Sequence, residues 1–167
     1  MTLLRATAVV AAALLVAACG YRWTGAPGAS GDLRVAVDPV EDRGDEPLFG
    51  AVLSRALARE VVDRPGLRLA RAGEGDVRVR ATVLRVVEEG ATYSAAGLQE
   101  YRIRAEVRVE ILPGPSGRPW KGVVAADREF PAGATVEATQ EAKEAALDLL
   151  ARDLARAIAR RAQWLVP

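Results

Sequence analysis

The sequence predicts an α+β fold, a two-layer sandwich in which two amphipathic helices pack on one face of a four- to five-stranded, mostly antiparallel sheet. Three observations support this prediction. Apolar residues recur at helical spacing in residues 47–61 and again in residues 136–164. Between them, three stretches alternate apolar and charged residues, as strands with one buried face do. Two apolar helix faces and one apolar sheet face then cover each other.

The predicted domain opens with a β-α unit. Residues 33–40 form a strand, because apolar residues occupy alternate positions there. A helix is expected to start at Pro47, which suits a first helical turn, with Asp45 or Glu46 as its cap. The apolar stripe of this helix is predicted to consist of Phe49, Val52, Leu53, Ala56, Leu57 and Val61.

Three long strand patterns follow. Residues 77–87 alternate up to Val83 and then change parity, which predicts a β-bulge at residues 83–85. Residues 101–111 alternate without interruption, so one face of this strand is buried and the other is charged. Residues 120–130 form the third pattern, and antiparallel hairpins are the natural connections. The sequence does not decide whether residues 67–70 add a further strand.

A long final helix is predicted over residues 136–164. Glutamates are concentrated near its start and arginines near its end, which is the charge order that the helix dipole favours. Its buried side is predicted to consist of Ala142, Ala146, Leu147, Leu150, Leu154, Ile158 and Leu165.

The N-terminus reads as an export signal. Arg5 precedes an apolar run that is too short to span a bilayer, which needs about 20 apolar residues. Val-Ala-Ala then precedes Cys19, the only cysteine, and this pattern resembles the lipobox of bacterial lipoproteins. The resemblance implies cleavage before Cys19 and lipid attachment to its sulfur. An ordinary signal peptide, with Cys19 incidental, is the alternative.

The expected organisation is a signal peptide over residues 1–18, a lipidated N-terminus and flexible tether over residues 19–31, and one domain over residues 32–167. The tether segment is rich in glycine, proline and small residues. One domain of this size buries a core without disulfides.

Composition excludes several function classes. The chain has no histidine, which removes the commonest general base, the Ser-His-Asp arrangement and most zinc sites. Its net charge is +1, so no overall field attracts nucleic acid or an anionic membrane. A cysteine consumed by lipid leaves no thiol for catalysis. We therefore expect a protein without enzyme activity, metal or cofactor, which acts by binding.

The order of elements and several motifs resemble the LptE family of lipopolysaccharide-assembly lipoproteins. The motifs are Cys-Gly-Tyr at residues 19–21, the strand of residues 33–40, Glu-Tyr-Arg-Ile-Arg-Ala at 100–105, Gly-Arg-Pro-Trp at 117–120, and a closing helix that ends in Trp164. The resemblance implies a lipid-anchored protein of the outer membrane that faces the periplasm. Its partners would be a large LptD-like β-barrel, bound one to one as a plug, and lipopolysaccharide.

Another class of function remains open. Periplasmic lipoproteins that activate a cell-envelope synthase or form part of a secretion channel also open with a β-α unit after a lipobox. Copurification with the barrel would favour the first interpretation, and recovery with a synthase or a secretion ring would favour the second.

Two candidate binding regions are predicted. The first is an arginine-bearing sheet face that suits lipid phosphates, because guanidinium groups bind phosphate bidentately. A solvated face, in which these arginines pair with Glu106 and Glu110, is the alternative, and we favour it. The arginines concerned are Arg78, Arg80, Arg102, Arg104 and Arg108.

The second region is a loop over residues 90–99, which contains no charged residue. An uncharged loop of this length is unusual on a free surface, so we predict that it contacts the barrel. A flexible hairpin loop without a binding role is the alternative. The contact residues of this loop are predicted to be Thr92, Tyr93, Ser94 and Leu98.

Overall fold

A computed structural model describes residues 32–95, 97–114 and 117–165. Over these residues, six strands and two helices follow one another along the chain. They are β1 (Leu33–Val37), β2 (Glu41–Asp42), α1 (Phe49–Asp63), β3 (Leu67–Ala70), β4 (Val77–Ser94), β5 (Gly97–Pro113), β6 (Trp120–Pro131) and α2 (Val136–Trp164).

The sheet is mixed, with the strand order β3-β1-β4-β5-β6 and with β2 paired beside β4. β1 runs parallel to both β3 and β4, and β2 also runs parallel to β4. β4, β5 and β6 form an antiparallel meander. The prediction of a four- to five-stranded, mostly antiparallel sheet is therefore wrong in strand number and direction. The reason is that α1 is a crossover, which returns the chain to the sheet in the direction of β1 and makes residues 67–70 a strand.

α1 begins at Phe49, two residues later than predicted. Its start is capped by Asp42 from β2, whose Oδ2 accepts a hydrogen bond from the Gly50 N–H at 2.6 Å. The prediction that Asp45 or Glu46 caps this helix is wrong, because the short strand β2 brings a carboxylate from earlier in the chain to the helix start. Leu48 is the N-cap residue and has a left-handed backbone, with φ of 65°.

The core lies between the helices and the inner face of the sheet. The stripe predicted for α1 is confirmed, with four residues buried and Val52 and Ala56 partly buried. α2 spans the predicted residues, and the side predicted to be buried is buried or partly buried. Four further alanines of α2 are buried, and their small side chains bring the helix close to its neighbours. They are Ala151, Ala155, Ala159 and Ala162.

The predicted bulge in β4 is confirmed. The pairing of β4 with β5 shifts register between Val83 and Arg85, which leaves Leu84 without a paired residue on β5. As a result, Val83 and Val86 are both buried although three positions separate them. The alternation of apolar and polar residues in β4 shifts by one position here, and the bulge keeps the apolar side chains on the core on both sides of that shift.

Candidate functional site

The sheet face opposite the helices, here called the open face, carries the charged side chains of β4, β5 and β6. Residues that point the other way from β4 and β5 are buried, so the two faces differ sharply in polarity. The five arginines predicted from the sequence lie on this face. They fall into two groups rather than one cluster, because the cross-strand pair of Arg85 and Glu106 lies between them. Arg78, Arg80 and Arg108 form one group, and Arg102 and Arg104 form the other.

In the first group, Arg78 and Arg80 share one carboxylate. Arg78 Nε donates to both oxygens of Asp38 at 2.9 Å, and Arg80 Nε donates to Asp38 Oδ2 at 3.2 Å. Asp38 follows β1, and its backbone N–H donates to the carbonyl of Val79 on β4. This side chain is only 15% exposed. The parallel pairing of β1 with β4 therefore places an acid where it neutralises part of the arginine charge.

Arg108 stands apart from these ion pairs. No carboxylate lies within 4 Å of its guanidinium in the part of the chain that the structure describes. It faces Thr82 on β4 and Val123 on β6. Together with Asp38, Arg78 and Arg80 it lines a shallow groove of about 430 Å³. The other walls of this groove include Pro39, Glu41 and Glu110. Arg108 is thus the arginine of this face that is free to bind an anion.

In the second group, both arginines face carboxylates. Arg102 Nε donates to Glu129 Oε1 at 3.2 Å across β5 and β6. Arg104 lies 3.6 Å from Glu106, which also accepts a hydrogen bond from Arg85 at 2.8 Å. The hydrogen bond with Glu129 raises the pKa of Arg102 above its ordinary value. This is the geometry of a solvated charged face, and phosphate binding by these arginines stays a prediction.

Two glutamates of β5 are held in the charged state by their neighbours. The hydrogen bond from Arg85 lowers the pKa of Glu106, and the hydrogen bond from Lys121 lowers the pKa of Glu110. Arg80 and Arg108 lower the pKa of Glu110 further through their charges. The predicted cross-strand pairing of these glutamates with basic residues is present, but Arg85 and Lys121 are the principal partners.

The predicted loop over residues 90–99 is instead the tip of a long hairpin, so its assignment as a loop is wrong. β4 continues to Ser94 and β5 starts at Gly97, which leaves two residues between the strands. The pairing runs through Thr92–Glu100, Tyr93–Leu98 and Ser94–Gly97. The alternation of apolar residues ends before this tip because both of its faces are exposed, and the sequence pattern therefore suggested no strand.

The hairpin tip presents an aromatic side chain to solvent. Tyr93 is 70% exposed, and Leu98 opposite it is partly buried. The Tyr93 ring lies across Gly90, since a Cβ on that glycine would be 2.2 Å from the hydroxyl oxygen. Thr92 Oγ1 donates to Glu100 Oε2 at 2.9 Å. Of the four residues predicted to contact the barrel, Tyr93 and Leu98 therefore lie side by side, and Thr92 and Ser94 lie on the same strand.

Sequence reasoning missed a three-way ion pair at the base of this hairpin. Lys143 of α2 lies 2.8 Å from Glu46 before α1 and 3.0 Å from Glu88 of β4. Burial of Lys143 lowers its pKa, but the hydrogen bonds to both glutamates outweigh that effect, and the pKa is raised overall. Lys143 lies three and four positions before Ala146 and Leu147 of the predicted buried side, which was the available signal, but nothing in the sequence pointed to its two partners.

A second groove, of about 520 Å³, lies between α1 and α2 on the side away from the sheet. Its basic residues occupy successive turns of the two helices, and acidic side chains are interleaved with them. From the sequence alone, Arg152 and Arg156 are expected only to favour the helix dipole, with Arg152 also paired to Asp148 one turn earlier. The basic residues of this groove are Arg55, Arg59, Arg152 and Arg156.

The signal segment, Cys19 and the tether lie outside the described residues. Within them, neither helix has the length and apolar character that a membrane span requires. No group of three or more potential ligands in this part of the chain is arranged to hold a metal ion.

Two solved structures with TM-scores above 0.5 support the fold. A hypothetical protein from Chlamydia trachomatis is similar at 17% identity, covers 82% of this chain and 98% of its own, and has a TM-score of 0.58. A protein from Xanthomonas campestris, at 15% identity, covers 84% of this chain and 92% of its own with a TM-score of 0.51. Rare lipoprotein B from Shewanella oneidensis, at 14% identity, covers 78% of this chain and 94% of its own, with a TM-score of 0.49.

None of the curated proteins matches the sequence. A protein-family model does match, and it covers residues 33–162, from the first residue of β1 almost to the end of α2. The family is described as LptE, lipopolysaccharide assembly. The match spans both helices and every strand, so it concerns the whole sandwich rather than one motif. The resemblance noted in the sequence is thus confirmed, and the chain belongs to the LptE family.

Proposed function

We propose that this protein is an outer-membrane lipoprotein that faces the periplasm, binds the large lipopolysaccharide-assembly β-barrel one to one and assists lipopolysaccharide insertion. It acts by binding and not as an enzyme. Membership of the LptE family supports the role in lipopolysaccharide assembly. The lipobox-like sequence before Cys19 supports the lipid anchor, and lipoprotein anchors of more than one acyl chain hold stably to a membrane.

The observation that carries the proposed barrel contact is the hairpin of β4 and β5, which extends past the core. Val86 is the last buried residue of β4, and Ile103 is the first buried residue of β5. Beyond them Tyr101 stacks on Phe130 of β6 and is partly buried, and no described side chain of the tip is fully buried, yet the tip presents Tyr93 to solvent. Tyrosine is enriched among the residues that carry most of the binding energy of an interface. An enclosing partner would bury this tip.

Copurification from detergent-solubilised outer membrane tests this proposal. We expect the full-length chain to bring down one very large β-barrel in equal amount. Replacing both Tyr93 and Leu98 by serine should reduce the recovered barrel at least about tenfold, since interface anchors contribute roughly 2 kcal/mol or more. Val62→Ser is the matched control, because Val62 is 63% exposed on α1 and far along the chain from the hairpin.

Two results would contradict the barrel assignment. One is full recovery of the barrel with the tip variant, which would remove the hairpin from the interface. The other is recovery of a peptidoglycan synthase or a secretion ring in place of the barrel, which would favour the alternative function.

Insertion of a short polar epitope after Ala95 is a second test. It should prevent barrel assembly while the domain stays folded.

For lipopolysaccharide, the open face offers Arg108, whose guanidinium has no carboxylate partner among the described residues, beside the groove that it shares with Arg78 and Arg80. We expect Arg108→Glu to weaken binding of purified lipopolysaccharide more than the double change of Arg102 and Arg104 to glutamate, because the latter two already contact carboxylates. Arg118→Glu, which makes the same change of charge as Arg108→Glu, is the control. Binding that is unchanged in all three variants would remove the open face from lipopolysaccharide recognition.

A further inference from the structure

The outer edge of β6 is a long strand edge without a partner among the described strands. β6 has 12 residues and pairs only with β5, in a register without any irregularity. Its middle, residues 122–126, has no charged residue, and Val123 there is 56% exposed. The backbone groups along this edge are therefore available for further strand pairing.

Such edges are hazardous, because they template pairing with other chains. Proteins protect them with proline, bulges, short strands or charges in the middle of the edge. β6 has its only proline at the last position, Pro131, and its charges flank the middle instead of interrupting it. Lys121 lies on one side of the uncharged stretch, and Asp127, Arg128 and Glu129 lie on the other.

We infer that β6 pairs antiparallel with β6 of a second copy of this chain, about a two-fold axis at Ala125. In this register the strand is paired from Trp120 to Phe130, and only Pro131 of β6 lacks an opposite residue. The axis places Ala125 opposite Ala125, Lys121 opposite Glu129, and Val124 opposite Ala126. Each pair lies on one face of the joined sheet, because paired residues must point to the same side.

Overlap and charge together select this register. An axis at Ala126 pairs as many residues, from Lys121 to Pro131, but places Lys121 opposite Pro131, which has neither a charge nor a backbone N–H. An axis at Val124 keeps Lys121 opposite an acid, Asp127, but shortens the paired stretch, which would run only from Trp120 to Arg128. The axis at Ala125 combines the long overlap with opposite charges at both symmetric positions, and no like charges face each other.

The open face extends this complementarity across three strands on each side. One row consists of Arg80, Glu110 and Lys121, and another consists of Glu89, Arg102 and Glu129. Joined at the axis, the first row of one copy meets the second row of the other, and positive and negative side chains alternate over six strands. Cross-strand pairs of opposite charge each contribute about 0.2–1 kcal/mol.

This pattern points to a second copy rather than to an unrelated strand. The Arg80 row has a net positive charge, whereas the Glu129 row has a net negative charge. An antiparallel copy reverses that polarity and so matches it at both ends, which is the self-complementarity that a two-fold interface requires. The pairing is independent of the proposed barrel association, and its test uses the chain without the barrel.

Disulfide trapping tests the register. Ala125→Cys in a Cys19→Ser background leaves one thiol per full-length chain. Residues directly opposite each other have Cβ atoms about 4.5–5.5 Å apart, close to what a disulfide needs. We expect rapid formation of a covalent dimer on mild oxidation. Val136→Cys in the same background is the control, since Val136 is 82% exposed on α2 and should give only slow, concentration-driven crosslinking.

Charge reversal and mixing test the pairing itself. Lys121→Glu places glutamate opposite Glu129, and Glu129→Lys places lysine opposite Lys121, so each variant alone should lose dimer affinity by about tenfold or more. Mixed together, the two variants present opposite charges at both positions. We expect the mixture to recover the heterodimer, measured by sedimentation velocity and by mass after crosslinking.

Three outcomes would overturn the inference. The first is equal crosslinking of the Ala125→Cys and Val136→Cys chains. The second is a dimer whose affinity neither charge reversal changes, which would place the contact elsewhere. The third is a failure of the mixed variants to associate more tightly than each alone.

Discussion

The carboxylate of Asp42 holds the start of α1 from outside the helix. One of its oxygens accepts a hydrogen bond from the Gly50 N–H at 2.6 Å, and the other accepts one from the Gly44 N–H at 3.1 Å. Asp42 belongs to β2, so a single side chain joins the edge of the sheet to the helix. A negative charge at this position also matches the positive end of the helix dipole.

We therefore predict that Asp42→Ala lowers the free energy of unfolding by about 1 kcal/mol, as the loss of a helix cap does. Asp45→Ala is the matched control, because Asp45 precedes the same helix but takes no part in the cap. Urea unfolding followed by circular dichroism measures both. Equal stability of the two variants would mean that the Asp42 hydrogen bond contributes nothing.

The ion pairs of Lys143 make a second prediction. Lys143→Met leaves Glu46 and Glu88 partly buried without their cation, and this should lower the free energy of unfolding by about 1–3 kcal/mol at neutral pH. Lys121→Met removes the other lysine from an exposed ion pair with Glu110, and it should change the free energy of unfolding little.

The contribution of Lys143 should also depend on pH. Its pKa is raised in the folded chain, so the stabilisation is complete below the ordinary lysine pKa of about 10.4 and is lost as pH rises through the folded value. The stability difference between wild type and Lys143→Met should thus be constant near neutral pH and shrink above about pH 10. A difference that grows at high pH would contradict this assignment.

Gly75 lies where the backbones of β1 and β4 meet. A Cβ at this position would be 2.8 Å from both the Ala36 nitrogen and the Val77 carbonyl oxygen. These are backbone atoms of paired strands and cannot move independently. We predict that Gly75→Ala lowers stability by about 1–3 kcal/mol, as overpacking does. Gly114→Ala, whose Cβ would be 3.5 Å from its nearest neighbour, should be close to neutral in thermal unfolding.

The hairpin tip should open without unfolding the core. None of its described apolar side chains is fully buried, so local fraying exposes little that was hidden from water. We predict that hydrogen-bonded amides of residues 90–94 exchange with solvent at least about a hundredfold faster than those of residues 79–83 in the same strand. Native-state hydrogen exchange measures this. Similar rates along the whole of β4 would show that the tip and the core open together.

Local patterns were sufficient to predict much of this fold. The alternation around Ile103, the parity change at Val83 and the helical spacing from Ala146 to Ile158 each specify which side chains are buried, and the structure agrees. These signals come from apolar residues that contact one core. Where both faces of a strand meet solvent, as at Tyr93, the pattern is absent and the strand was missed.

Contacts between distant parts of the chain were not predictable from the same patterns. The carboxylate of Asp38 lies between two arginines about forty positions away, and this pairing depends on β1 running parallel to β4. Strand direction leaves little trace in short strands such as β1 and β3. For this reason the open face was predicted as a surface, whereas its division into two arginine groups and the freedom of Arg108 required the structure.

The bulge in β4 gives the chain one spare residue. If Leu84 were deleted, Val83, Arg85 and Val86 would alternate regularly, and every later side chain of the strand would still point to its present face. A deletion elsewhere between Val77 and Val86 would instead reverse the two faces of the rest of the strand, with its valines in water and its arginines in the core. Within the part of β4 that covers the core, tolerance to shortening is therefore concentrated at Leu84, whereas the other spare residue, Ala91, lies beyond the core.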